Sequence, residues 1–73
     1  MGSLRVLSGS EVCTILARHA LKEVRRRGSH VVMQKKTVEG TVTVPVPDHK
    51  ELRKGTLLSF IRQSDISRIE FEV

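Results

Sequence analysis

A chain of 73 residues, 38% of them apolar, has side chains for one modest core, so a single domain over 1–73 is expected and a second is excluded. One cysteine rules out an internal disulfide and a cysteine-rich zinc site and fits a reducing, cytoplasmic setting, while the lack of any apolar run near the ~20 residues that span a bilayer, or of a secretory leader pattern, speaks against membrane anchoring and secretion. The net charge of +5 is lopsided: Lys22, Arg25, Arg26, Arg27, Lys35 and Lys36 face one acid, Glu23, in a single stretch, and the other seven basic residues balance seven acids.

Ser8 and Glu11 form an S-x-x-E capping box, and Val12, Ile15, Leu16 and Ala20 follow at helical spacing, which predicts a first helix from about Gly9 to Ala20. After Leu21 the pattern becomes extended. Gly28-Ser29 between two strand-like runs signals a two-residue hairpin, glycine supplying the positive φ of a type II′ turn, with strands over roughly 21–27 and 30–36. Thr37-Val38-Glu39-Gly40 reads as a four-residue second turn, and Thr41 to Val44 alternate polar and apolar in a third strand that Pro45 and Pro47 end. Asp48 to Lys54 is a polar connection. Gly55-Thr56 then leads into Leu57, Leu58, Phe60 and Ile61 at helical spacing, a second helix to about Ser64. Ser67 and Glu70 repeat the capping box and predict a short C-terminal helical turn that packs Ile66, Ile69 or Phe71 onto the domain. The fold class is α+β: helix, three-stranded antiparallel sheet, helix, short closing turn.

The hairpin registers test one another. A two-residue first loop pairs Arg27 with His30, Arg25 with Val32 and Val24 with Met33; the second loop pairs Lys36 with Thr41, Gln34 with Thr43 and Met33 with Val44. Val24, Val31, Met33, Val42 and Val44 then share a core face, with Arg26 and Lys35 snorkelling at its margin. The opposite face collects Arg25, Arg27, His30, Gln34, Lys36, Thr41 and Thr43, with Val32 its one apolar member. A basic face of this kind points to a polyanion, nucleic acid before membrane. Phe60 and Phe71 both fall in helical apolar patterns, so phosphate contact is favoured over an aromatic stacking platform.

Four blocks of the chain resemble the HicA-type toxins of bacterial and archaeal toxin-antitoxin pairs: Gly28-Ser29-His30 after a basic strand, Val42-Thr43-Val44-Pro45, Pro47-Asp48-His49, and Lys54-Gly55-Thr56-Leu57 opening the second helix. The resemblance spans nearly the whole chain. It implies a double-stranded-RNA-binding-domain-like fold, metal-independent cleavage of messenger RNA that inhibits translation under stress, and a HicB-type antitoxin partner that blocks the site. It also implies that His30 is the catalytic histidine. Two departures from the family pattern are Ala20-Leu21 where Gly-Phe is usual and Ser64-Asp65 where Ala-Gly is usual.

Metal-free RNA cleavage needs a base for the 2′-hydroxyl proton, an acid for the leaving 5′-oxygen and cations for the phosphorane charge. A histidine, whose ordinary pKa lies near neutrality, serves as base or acid, which is the role of His30. Arg25, Arg27 and Lys36 are candidates to hold the phosphate, and the backbone amides of Gly28 and Ser29 add donors. The second proton-transfer group is His49, an arginine or water. His19 reads as a helix C-terminal residue favoured by the dipole, and Cys13 as a small packing residue. The histidines lie 11 and 19 residues apart, which fits no compact zinc motif, so neither a metal nor a small-molecule cofactor is expected. Two other classes use the same surface: a non-catalytic RNA-binding module of this fold, and a domain that binds an acidic protein.

Overall fold

In the computed structural model of the chain, which describes residues 3–72, the elements run α1 (Gly9–Arg18), β1 (Lys22–Arg27), β2 (His30–Thr37), β3 (Gly40–Pro47) and α2 (Lys54–Ser64), closed by a 3-10 turn at Arg68–Phe71. Met1, Gly2 and Val73 of the expected domain lie outside the described residues. The strands form one antiparallel sheet in the order β1-β2-β3. Both helices cover one of its faces, where Val31, Met33, Val44 and Val46 meet Val12, Ile15, Leu16, Leu57 and Phe60. The other face is uncovered. This is the α+β arrangement expected from the sequence, and it is double-stranded-RNA-binding-domain-like. Among the described residues no helix is long and apolar enough to cross a membrane.

α1 starts as its capping box dictates: Ser8 Oγ accepts from the Glu11 amide at 3.1 Å, and Glu11 Oε1 accepts from the Ser8 amide at 2.9 Å. The Ser8 amide, bonded to the carboxylate, and next the Ser8 hydroxyl beside it hold the Glu11 carboxyl below the usual glutamate range. The helix ends at Arg18, short of the expected Ala20. Ala20 turns left-handed (φ +71°), its amide bonds Ala17 O, and the Leu21 amide reaches back to Leu16 O, a Schellman closure with Leu16 and Leu21 both buried. Glycine normally holds the left-handed position.

The first hairpin has the expected register at its tip, Arg27 with His30 and Arg25 with Val32, and Gly28 carries the positive φ (+56°). The expected Val24–Met33 pair is not formed. The register shifts between Glu23 and Arg25, Glu23 stands opposite Met33, and Val24 is bulged out and 50% exposed instead of joining the core. One valine among five charged residues gives an edge strand too little apolar surface to pin the register beyond the hairpin tip. In the second hairpin Thr37 and Gly40 pair, so the loop is only Val38-Glu39, with the registers of Lys36, Gln34 and Met33 as expected.

Pro45 does not end β3; the strand runs through it, opposite Val32, and stops at Pro47, opposite His30, so only the second proline marks its end. β3 is an edge strand, and two residues of the same parity point their nitrogens the same way, away from β2, where no ladder bond is lost. Val46 between them is fully buried, a core residue that a strand ending at Pro45 would not supply. At the C-terminus Ile66 and Phe71 pack into the core while Ile69 is 68% exposed. The second capping box does not form, since Ser67 makes no side-chain cap bond and Glu70 Oε1 instead meets His19 Nε2 at 3.2 Å.

Candidate nucleic-acid interface

Strand alternation sorts the three consecutive arginines. Arg25 and Arg27 project from the uncovered face, whereas Arg26 turns to the other side, where its Nη1 donates to Asp48 Oδ2 at 2.9 Å. That hydrogen bond raises the Arg26 pKa and makes it the neutralised member of the trio. Lys35, the other basic residue expected on the helix-covered face, snorkels as foreseen, with Nζ reaching the His19 carbonyl at the end of α1 at 3.4 Å.

On the uncovered face, cross-strand pairing builds rows: Arg27, His30 and Pro47 at one end, then Arg25, Val32 and Pro45, then Lys22, Gln34 and Thr43. Arg25, Arg27, His30, Val32, Thr43 and Pro45 line a groove of about 380 Å³. Val32 forms its floor. It is only 7% exposed yet is not part of the core under the helices, so its cover comes from its neighbours on this face. His30 and the two arginines give the groove a basic rim.

The remaining expected site residues divide. Gly28 and Ser29 form the hairpin tip beside Arg27 and His30, and Ser29 O accepts from the Asp48 amide at 2.6 Å, which ties the tip to the end of β3. Lys36 shares the face but not the groove, six residues along β2 from His30, about 20 Å at the strand rise. His49 does not line the groove either. It is exposed in the loop after β3, and its carbonyl accepts from the Gly9 amide at 2.9 Å, so its backbone docks α1. Cys13 is half-buried against the core, and burial raises its pKa, as befits a packing thiol. Among the described residues no three His, Cys, Asp or Glu side chains gather as metal ligands would.

Pro45 is the groove residue that the sequence does not announce, because a proline there reads as a strand end. Val32 and Thr43 were on the expected face without an assigned role. The signal for all three was the register itself, which puts them in consecutive rows beside His30.

Fold and face together define a small double-stranded-RNA-binding-domain-like protein with a basic groove on its free sheet surface. A scan against protein-family models matches residues 9–66 to the HicA toxin of bacterial toxin-antitoxin, and the chain belongs to that family. No curated protein and no solved structure matches it.

Proposed function

We propose that this chain is the toxin of a type II toxin-antitoxin pair and acts as a metal-independent endoribonuclease on messenger RNA in the cytoplasm, inhibiting translation. The observation that carries the reading is the convergence of His30, Arg25 and Arg27 on one uncovered groove in a HicA-family chain. Arg25 and Arg27 hold the scissile phosphate and neutralise charge as it builds on phosphorus, while the amides of Gly28 and Ser29 add donors at the tip. His30 takes the 2′-hydroxyl proton as that oxygen attacks phosphorus and the P–O5′ bond breaks. The products are a 2′,3′-cyclic phosphate and a 5′-hydroxyl. The proton on the leaving oxygen comes from water, a reading supported by the place of His49 outside the groove. Lys36 contacts a phosphate further along the strand.

His30→Ala tests the catalytic assignment. It should cut RNA cleavage at least about a hundredfold and abolish growth inhibition while leaving the melting temperature unchanged, since His30 is exposed. A chain that merely binds RNA loses little by this change, so retention of a tenth of the wild-type rate overturns the assignment. His49→Ala should keep cleavage within a few-fold. Cleavage should also proceed at full rate in EDTA; a loss restored by one divalent ion is the contrary result.

The partner in this reading is a HicB-type antitoxin that covers the groove. The charge excess between Lys22 and Lys36 steers an acidic surface to this face at a rate that falls with salt. A hydrogen-exchange footprint confined to the helices, with Arg25, Arg27 and His30 open, excludes direct occlusion.

A further inference from the structure

The groove holds more than a phosphate needs. A phosphate is met by the rim; the floor of Val32 and Pro45 offers it nothing. An apolar floor under a polar rim, in a groove of about 380 Å³, is the build of a seat for a flat, mostly apolar group with a charged neighbour. Thr43 adds direction. Gln34 Nε2 donates to Thr43 Oγ1 at 3.0 Å, which occupies one of its lone pairs and leaves the hydroxyl proton free for an acceptor in the groove. In an RNA strand the group that joins a flat ring with edge acceptors to a phosphate is the nucleotide. A guanidinium such as that of Arg25 both stacks on a base plane and pairs with phosphate. Bases in a duplex are stacked and their major-groove edges lie too deep for side chains to read, so only an unpaired base can lie on this floor.

We propose that the groove seats one unpaired nucleobase of the RNA beside the scissile phosphate, flat against the exposed Pro45 with Val32 beneath it, and with the Thr43 hydroxyl donating to an acceptor on its edge. Thr43 is thereby a specificity-determining residue. The inference rests on the ribonuclease reading and adds to it a strand type and a position of base preference.

The test uses the full chain and a pool of single-stranded RNAs randomised around the cut, with product ends sequenced. The wild-type protein should show a base bias at one position beside the cleaved bond. Thr43→Val, which keeps shape and strand propensity but loses the hydroxyl, should reduce that bias about tenfold, the worth of one hydrogen bond. The bias is read as the ratio of cleavage between bases within one pool, which a general loss of rate does not move. Thr43→Ser should restore the bias, and annealing the same RNAs to their complements should slow cleavage at least about tenfold. No bias in the wild type, an unchanged bias in Thr43→Val, or equal cleavage of duplex each overturns the inference, and an unchanged bias leaves the groove as a seat for a partner protein's side chain. If His30→Ala is dead and Thr43→Val keeps the wild-type bias, the base seat alone falls; if the wild-type chain cuts no RNA, the ribonuclease reading falls with it.

Discussion

Gly9 and Gly55 stand in the first turns of the two helices, and alanine should move stability in opposite directions at them. At Gly9 a methyl would overlap the Pro47 carbonyl oxygen and press on Asp48 Cα at 3.1 Å, backbone atoms that cannot swing aside. α1 must then draw back from the end of β3, which breaks the 2.9 Å hydrogen bond from the Gly9 amide to the His49 carbonyl. Overpacking costs about 1–3 kcal/mol and the lost hydrogen bond about 1 kcal/mol, while the better helix propensity of alanine returns less than about 1 kcal/mol. The net destabilisation of Gly9→Ala is about 1–4 kcal/mol, which for a domain of this size lowers Tm by about 5–30 °C. At Gly55 a methyl meets nothing within 4 Å, so Gly55→Ala should gain up to about 1 kcal/mol and raise Tm by a few degrees. Urea denaturation followed by circular dichroism, with m-values compared to guard against altered unfolded states, measures both. A Gly9→Ala chain as stable as wild type would refute the close docking of α1 against the end of β3.

Arg25→Ala or Arg27→Ala should weaken RNA binding similarly across sequences and lower the slope of log affinity against log salt by about 0.7–0.9 each, whereas Arg26→Ala, its guanidinium bound to Asp48, should leave that slope unchanged; the reverse pattern in a salt titration places the wrong arginines on the face. Ala20→Gly should stabilise by about 0.5–1 kcal/mol, because relief of a left-handed non-glycine residue exceeds the added backbone entropy, and Asp65→Gly should gain less, since aspartate tolerates that conformation; equal or reversed effects in thermal melts contradict the observed turns. The Glu11 carboxyl is held below its ordinary value, so its share of α1 stability is complete above about pH 4.3 and is lost as pH falls through the depressed folded value. Acid titration of Glu11→Gln should therefore lack that decline, and an acid transition identical to wild type removes the capping box as its source.

Features settled by neighbours a few residues apart were legible in the sequence. The Ser8–Glu11 capping box, the positive φ at Gly28 and the parity that sends Arg25, Arg27 and His30 to one face are local consequences of residue type and spacing. Ala20 and Asp65, where the resemblance led one to expect glycine, are both left-handed, and Ser64 is buried without penalty because it donates to Phe60 O and accepts from the Ile66 amide.

What depended on partners far along the chain was decided only by the tertiary structure. Ser67 and Glu70 have the spacing of a capping box, but Glu70 lies against His19, 51 residues away, and the turn closes as 3-10. Val24 fits a core face by parity, yet β1 is an edge strand whose register is free to shift at a bulge. Pro45 and Pro47 break a central strand but are harmless where their nitrogens face outward, a fact set by which side of β3 pairs with β2. The groove follows from the same cause: Val32 and Pro45 become its floor only once the edge strand continues past the first proline, and Gly9 is bound to glycine only because the end of β3 then arrives against α1.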